Sequence, residues 1–258
     1  MNFRSILAAS AALLLSPAAA NAAQVAALVG GDTIAMVDTA QKKATGSVKV
    51  TGISGALVGI DVRPADGMLY GLVDDGTVVT IAADGKATMK SRLDTMLAKG
   101  VTATVDFNPV ADRLRVMGAD GMNLRANVDD GKVTKDGDHK YADGDMHKGE
   151  KPNIVAGAYT NSVKGAKETA LFNIDATIGG LIKQAPPNDG VLGAIGKLGI
   201  KADGVAFDIW SDGAGKNEAW LMAGGTLYSV DLATGKATEA AKIAGVSGTV
   251  KDIAIMGM

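Results

Sequence analysis

Cysteine is absent from the 258 residues of the sequence. Its absence excludes disulfide cross-links, thiolate metal ligands, cysteine nucleophiles and a lipid-modified cysteine anchor. Aromatic residues make up only 4% of the chain, and most of them fall inside apolar runs typical of strands. An aromatic platform for stacking sugars or bases is therefore not expected, and we assign Trp210 and Trp220 to the core.

The chain also lacks a block of basic residues. Its formal net charge is −2, and losing the single Arg4 with the first 22 residues would lower the charge by one, to −3. Neutralising a phosphate backbone requires clustered Lys and Arg side chains, so nucleic acid is not an expected partner. No later run reaches the ~18 apolar residues of a membrane helix, so we expect no membrane partner for the mature chain.

The first 22 residues have the three parts of a secretory signal. Arg4 precedes an apolar run from Ile6 to Leu15, Pro17 breaks that run, and Ala20-Asn21-Ala22 forms a small-x-small cleavage site. We expect cleavage after Ala22 and export to the periplasm or the medium. Residues 23–258 should then form a single domain and a monomer.

A two-strand motif with a central aspartate recurs along the chain. The copies are GIDVRPADGMLYGL (59–72), TVDFNPVADRLRVM (104–117), AFDIWSDGAGKNEAWLM (206–222) and the truncated KDIAIM (251–256). A weaker copy at 156–175 has Gly157 at or near the aspartate position. The aspartates are separated by 45, 102 and 44 residues. Since 102 is about two repeats, the period is close to 48 residues.

A hairpin with a tight turn follows each copy. These hairpins are TVVTIAADGKAT (77–88), NLRANVDDGKVT (123–134), ALFNIDATIGGLI (170–182) and TLYSVDLATGKAT (226–238), and TIAMVDTAQKKATG (33–46) is one more. Four short strands in a repeat of ~40 to 50 residues are the signature of a β-propeller blade. We predict an all-β propeller of five blades, closed by strands from both ends of the chain so that no sheet edge stays open at the closure.

An open solenoid or a two-sheet sandwich is the structural alternative. Apolar residues at helical spacing are scarce, and they predict only two short helical segments, Arg92–Ala98 and Gly190–Leu198.

The repeated aspartate has two interpretations. A ring of carboxylates near the axis could hold a cation, or each carboxylate could brace its blade by accepting backbone N–H bonds or by pairing with an arginine. We favour bracing, since a buried polar group that repeats usually finds the same partner each time. Strand alternation places Asp106 on the same face as Arg113 and Arg115, so we expect one of these pairs. The predicted structural braces are Asp61, Asp106, Arg113, Arg115, Asp208 and Asp252.

The loop from Thr134 to Pro152 contains both histidines of the chain. Asp138, His139, Asp145 and His147 could hold Ca²⁺ through oxygen or a transition ion through nitrogen. The pattern of an EF-hand is absent, and loops rich in Gly, Asp and Lys are most often simply solvated. We therefore expect no metal or other cofactor in this loop, with Ca²⁺ as the alternative.

Taken together, DFNPVADRLRV, NLRANVDDGKVT, AYTN (158–161), LFNID (171–175) and QAPPNDGVLGAIGKLG (184–199) resemble a bacterial exported family known as domain of unknown function 4394. The resemblance extends from about Leu28 to Met256 and implies a secreted or periplasmic domain like a β-propeller. It implies no activity. The motif positions in this sequence are Asn108, Pro109, Asp112, Arg113, Arg115, Asn123, Arg125, Tyr159, Asn161, Pro187, Asn188 and Asp189.

Five of these polar positions are the predicted ligand-binding residues. They are Asn108, Arg125, Tyr159, Asn161 and Asn188. Amides and an arginine without a fixed partner can recognise polar groups of a small molecule or of a protein.

Known catalytic patterns fail in this sequence. The run GVLGAIGKLG (190–199) has the wrong glycine spacing for a phosphate loop, and the chain has no Gly-x-Ser-x-Gly elbow. We therefore predict an exported, non-catalytic protein that binds a ligand or a partner. A structural or surface-matrix protein is the first alternative. A Ca²⁺-dependent hydrolase similar to lactonases, using Asp61, Asp106, Asn108 and Asp208, is the second.

Overall fold

The computed structural model describes residues 23–257, and the predicted signal segment lies outside this range. The described chain forms 21 strands in five sheets and contains no α-helix. Its one helical segment is a short 3-10 helix, Pro187–Asp189, and no helix of the described chain is long and apolar enough to cross a membrane. Each sheet is one blade of a β-propeller, so the all-β prediction and the count of five blades are confirmed.

The main strands of each blade lie side by side from the axis outward. In that order, blade 1 contains β21 (Val250–Gly257), β1 (Gln24–Val29), β2 (Thr33–Asp38) and β3 (Lys43–Lys49). Blade 2 contains β4 (Leu57–Val62), β5 (Leu69–Val73), β6 (Thr77–Ile81) and β7 (Ala87–Arg92). Blade 3 contains β8 (Ala103–Asn108), β9 (Arg113–Gly118), β10 (Asn123–Ala126) and β11 (Val133–Lys135).

The last two blades follow the same order. Blade 4 contains β13 (Ile154–Tyr159), β14 (Leu171–Asp175), β15 (Gly180–Gln184) and β16 (Val191–Lys197), with β12 (Lys140–Tyr141) added parallel to β16. Blade 5 contains β17 (Val205–Ser211), β18 (Asn217–Ala223), β19 (Thr226–Val230) and β20 (Ala237–Lys242).

Blade 1 closes the ring. Its innermost strand β21 pairs antiparallel with β1, with Ala254 opposite Ala26, so strands from both ends of the described chain share one sheet. The innermost strands β4, β8, β13, β17 and β21 each contact the next one around the axis, and β21 contacts β4. Closure by both ends is therefore confirmed.

Hydrophobic side chains are buried between neighbouring blades. Five apolar clusters occur in the described chain, one at each interface between two blades. Inner strands such as β5 are buried throughout, whereas the outermost strands β3, β7 and β20 are mostly exposed and polar. Polar outer strands protect each blade from pairing with another chain.

A close backbone approach at the rim joins a blade to the one before it. In blades 2, 3 and 5 the turn before the outermost strand has glycine at a left-handed φ: Gly85, Gly131 and Gly235. A Cβ on Gly85 would lie 2.4 Å from the carbonyl oxygen of Lys49, and one on Gly131 would lie 2.0 Å from that of Arg92. Both carbonyls end the outermost strand of the preceding blade. Only glycine fits this close approach.

Neither of the two predicted helical segments forms. The segment Arg92–Ala98 leaves β7 as an irregular loop whose Leu93 and Leu97 are buried between blades 2 and 3. The segment Gly190–Leu198 is mostly β16, which pairs with β15. In both cases the apolar residues are removed from water by packing against other parts of the chain, so no helix is needed to bury them, as often happens for short segments.

Candidate functional site

The repeated aspartates lie on four of the five innermost strands, where they are buried. Each carboxylate accepts a hydrogen bond from a backbone N–H of the innermost strand of the next blade. The four bonds are Ile60 N to Asp252 Oδ2 (3.0 Å), Phe107 N to Asp61 Oδ2 (2.6 Å), Tyr159 N to Asp106 Oδ1 (3.0 Å) and Ile255 N to Asp208 Oδ2 (2.6 Å). The aspartates thus link successive blades around the axis.

The expected pairing of Asp106 with an arginine is wrong. Asp106 lies opposite Arg115 in the register of β8 and β9, but its oxygen accepts the N–H of Tyr159. Arg115 turns outward to other partners, and Arg113 donates only to carbonyl groups of its own turn among the described residues. The facing strand β13 presents the backbone N–H of Tyr159, which requires an acceptor, and the carboxylate of Asp106 accepts this hydrogen bond.

Three of the carboxylates meet near the axis. Ligand oxygens of Asp61, Asp106 and Asp208 lie within 4.8 Å of one another. Burial raises the pKa of Asp61, Asp106 and Asp252 well above the ordinary range, and burial raises the pKa of Asp208 to about 6. The charge of Asp208 raises the pKa of Asp61 further, and the charge of Asp61 does the same to Asp106. This axial carboxylate cluster therefore favours a proton or a cation.

Blade 4 departs from this arrangement. Its innermost strand β13 carries no aspartate. Gly157 faces the preceding blade, because a Cβ added there would lie 2.2 Å from Oδ1 of Asn173 and 2.7 Å from Cε of Met117 in blade 3, whereas each axial aspartate reaches the blade that follows it. Asn173 is fully buried on β14, and its Nδ2 donates to Oε1 of Gln184 at 2.7 Å. Its Oδ1 has no hydrogen-bond partner among residues 23–257. Sequence reasoning missed Asn173, although the glycine on the neighbouring strand was a signal of the space it fills.

A cavity of about 580 Å³ lies at one end of the axis. It is bordered by residues at the start of all five innermost strands: Val58, Ala103, Val155, Val205 and Val250. Its charged and amide side chains are Lys99, Lys251, Asp74, Asp203 and Asn153. The axial aspartates follow two or three residues further along their strands, so the carboxylate cluster lies roughly 10 Å deeper at ~3.3 Å per residue. We call this cavity the axial mouth.

A second cavity of about 610 Å³ opens between blades 1 and 2. Its wall is mostly apolar and includes Ile34, Met36, Leu69 and Met256. None of the axial aspartates and none of the predicted ligand-binding residues borders it. It is a separate apolar groove.

Three of the five predicted ligand-binding residues come together around Arg115. The guanidinium of Arg115 is only 1% exposed. Its four hydrogen bonds go to the Tyr159 hydroxyl (3.0 Å), Asn123 Oδ1 (2.9 Å), Asp136 Oδ2 (2.5 Å) and Asn188 Oδ1 (2.8 Å). Arg125 donates to both oxygens of Asp136, at 2.6 and 2.9 Å. We name these residues the Arg115 network.

The Arg115 network joins blade 3 to blade 4. Arg125, Tyr159 and Asn188 have internal partners there, and none of them borders the axial mouth or the apolar groove. Asp136, which carries the negative charge of the network, was not among the predicted site residues. It lies in the polar loop after β11, where the local pattern resembles that of many solvated loops, and only its 5% exposure marks it as different.

The other two predicted ligand-binding residues lie at turns that follow innermost strands. Asn108 Oδ1 accepts the N–H groups of Val110 and Ala111, both at 2.9 Å, and so stabilises the turn before β9. Asn161, at a left-handed φ of 56°, exchanges two hydrogen bonds with Asn217. Both turns follow the C-terminal ends of their strands, at the opposite end of the axis from the axial mouth.

The metal candidates of the loop after β11 do not form a group. Asp138 pairs with Lys135, Asp145 accepts the N–H of His147, and the His147 ring contacts Glu150 at 3.1 Å. His139 is buried, and burial together with the charge of Arg115 lowers its pKa to about 4. Within the described chain, the side chains that converge as metal ligands do are those of the axial carboxylate cluster.

Arg63 is a second buried arginine, and unlike Arg115 it was not singled out from the sequence. Arg63 in blade 2 is 6% exposed, and it donates to Asp112 and to Asp129, both in blade 3. The three residues lie in turns that are far apart in the sequence, so no local pattern indicates the contact.

Five blades around a closed axis, with buried carboxylates inside and a cavity at one end, define a five-bladed β-propeller. The chain belongs to the family described as "Domain of unknown function (DUF4394)", whose model matches residues 33–254. No curated protein matches the chain.

Solved structures that are similar to this chain have low sequence identity to it. A structural genomics protein of unknown function from Bacteroides thetaiotaomicron is 16% identical with a TM-score of 0.53. The match covers 94% of this chain and 66% of that protein, slightly less than two thirds of its length. A protein of unknown function from Bacteroides caccae is 12% identical over 91% of this chain and 98% of its own, with a TM-score of 0.44.

Proposed function

We propose that this protein is an exported, non-catalytic binding protein whose ligand enters the axial mouth. The observation that carries the proposal is the border of this cavity, to which every blade contributes the start of its innermost strand. A volume of about 580 Å³ falls in the range of ~300 to 1,000 Å³ typical of small-molecule sites. The five innermost strands are fixed in the ring, so the part of the wall that they form needs little ordering when a ligand binds.

The lining of the axial mouth indicates the chemistry of the ligand. Valine, alanine, leucine and methionine side chains form most of the wall. Lys99 and Lys251 supply positive charge, and Asp74 and Asp203 supply negative charge. An apolar wall with a few charged groups of both signs suits a small amphipathic molecule that carries charged or strongly polar groups. The side chains of the border are binding groups, and no nucleophile and base are paired among them.

Reversing the two positive charges of the axial mouth is expected to weaken the binding of a ligand that carries a negative group. Thermal shift measurements would screen wild type with amino acids, dicarboxylates, polyamines and small sugars. We expect at least one class with a negative group to raise the melting temperature, and the Lys99→Glu/Lys251→Glu variant to lose at least half of that shift. Changes at exposed side chains should leave folding stability within about ±0.5 kcal/mol, so the loss would report on binding.

Lys164→Glu is the matched control, because Lys164 is exposed in the β13–β14 loop at the opposite end of the axis. It should keep the full shift. An equal shift in the double variant and in wild type would move the ligand away from the axial mouth. No shift with any class would contradict a small-molecule ligand.

The export part of the proposal rests on residues 1–22 of the sequence. Expression of the full chain in a Gram-negative host should give protein outside the cytoplasm with a mature N-terminus at Ala23. Cell fractionation followed by intact-mass measurement would check both. A mass that retains residues 1–22 would contradict the proposal.

A further inference from the structure

The axial carboxylate cluster has the spacing of a calcium site. Its three oxygens lie within 4.8 Å of one another. Calcium binds oxygen at ~2.3 to 2.6 Å, so two ligands on opposite sides of the ion are up to about 5 Å apart. The three aspartates come from blades 2, 3 and 5, and they approach the axis from different directions. One ion on the axis could therefore contact all three.

The hydrogen bonds that link the blades leave most of the lone-pair sites of these three carboxylates unused. Asp61 and Asp208 accept two backbone N–H bonds each and Asp106 accepts one, whereas a carboxylate offers about four lone-pair sites. None of the three forms a salt bridge with a described residue. Converging buried carboxylates require a proton or a cation.

Asn173 provides an independent indication of a ligand. Its Nδ2 is held by Gln184 on β15, the strand further from the axis, so the opposite atom of the amide, Oδ1, faces inward. This oxygen occupies the space above Gly157 on the side that faces blade 3, the blade that carries Asp106. The side chain is fully buried, and Oδ1 has no donor among residues 23–257. A buried carbonyl oxygen without a donor is costly unless something binds it.

We propose that Asp61, Asp106 and Asp208, together with Oδ1 of Asn173, bind one Ca²⁺ on the propeller axis. All four ligand atoms are oxygens, which favours a hard cation over zinc or copper. Magnesium retains its water more strongly and requires stricter octahedral geometry, so the buried cluster favours calcium. The ion enters through the axial mouth. The site exists whatever ligand the mouth takes.

The first test uses wild-type protein that has been stripped of metal with EDTA. Elemental analysis after calcium addition and gel filtration should give one Ca²⁺ per chain. At a free Ca²⁺ concentration 100-fold above Kd, the melting temperature should rise by roughly 5 to 10 °C, and equal Mg²⁺ should give a much smaller rise. Absence of a calcium-dependent rise in the folded protein would overturn the proposal.

Substitutions identify the ligands. Asp106→Asn and Asp208→Asn should each lose most of the calcium-dependent rise, because an amide replaces a charged ligand. Asp252→Asn is the matched control, since Asp252 has the same place in its blade and accepts two backbone N–H bonds as Asp208 does, but lies outside the three-carboxylate group. It should keep most of the rise. An equal loss in all three variants would show that calcium responds to total charge and not to this site.

A gain of affinity gives a further test that does not depend on the loss of a ligand. Asn173→Asp would add a fourth carboxylate at the position of Oδ1, and calcium titration should then give a Kd at least ~10-fold lower. An unchanged Kd would remove Asn173 from the site. If the asparagine variants fail to fold, the wild-type comparison of Ca²⁺ with Mg²⁺ and this titration still decide. The Lys99→Glu/Lys251→Glu experiment probes other residues, so either proposal can fail alone.

Discussion

Deleting residues 252–258 is expected to abolish the cooperative unfolding transition of the protein. The deletion removes most of β21, which pairs with β1 and contacts the innermost strands of blades 2 and 5. It also exposes the partners of Ile253, Ala254 and Ile255, all buried. Burying one isoleucine stabilises by ~1.5 to 3 kcal/mol, and two of them already approach the ~5 to 15 kcal/mol net stability of a domain.

Two bonds of the axial linkage are lost as well. Asp252 accepts the N–H of Ile60, and Ile255 donates to Asp208. Thermal and urea melts would measure the effect. A truncation of residues 257–258 alone is the control and should change the midpoint little, because Gly257 lies at the end of the pairing. An unchanged midpoint after the larger deletion would contradict a ring that depends on β21.

Asp136→Ala is the point substitution with the largest expected loss of stability. The Asp136 side chain is 5% exposed and is the carboxylate that pairs with both Arg115 and Arg125. Its removal leaves the Arg115 guanidinium buried without a counter-charge. Breaking a buried pair in this way typically costs ~3 to 5 kcal/mol, which corresponds to a fall in melting temperature of roughly 6 to 20 °C for a chain of this size.

Asp138→Ala is the matched control two residues away. The Asp138 side chain is 65% exposed and pairs only with an exposed lysine, so the free energy of unfolding should change by no more than about 0.5 kcal/mol. A double-mutant cycle with Arg115→Met would then isolate the pair. Removing both charges should recover part of the loss. Simple additivity of the two single changes would refute an energetic link between Arg115 and Asp136.

The blade architecture was predictable because it repeats. The repeat has a period near 48 residues, and each copy contains an aspartate in one strand followed by a turn with glycine. This pattern is visible without any knowledge of contacts between blades. The closing strand was predictable for the same reason, since the motif around Asp252 begins a copy that only β1 and its hairpin can complete. The two helices were wrongly predicted because the spacing of a few apolar residues within one short segment does not show that these residues are buried against other strands.

The candidate site was less predictable because its contacts cross between blades. Alternation along β8 and β9 correctly places Asp106 opposite Arg115. It gives no information on the backbone N–H of Tyr159, which comes from the next blade and takes the carboxylate. Arg125, Tyr159 and Asn188 were recognised as polar motif positions, but their shared partner Asp136 lies in a loop without periodicity. Asn173 was missed because the only signal for it is a glycine in another strand, which shows its meaning only when the two strands are paired.

The links between blades at the axis also bear on how such a ring can change over evolutionary time. Each axial aspartate accepts a bond from a main-chain amide of its neighbour, and every residue except proline has that amide. A duplicated unit of about 48 residues would therefore bring its own connector and would need no matching side chain in the unit beside it. Blade 4, whose innermost strand IVAGAY has no aspartate, shows that one member of the ring can lack this connector while the neighbours keep theirs. Blade number and blade sequence can thus vary more freely in this architecture than side-chain pairing would allow.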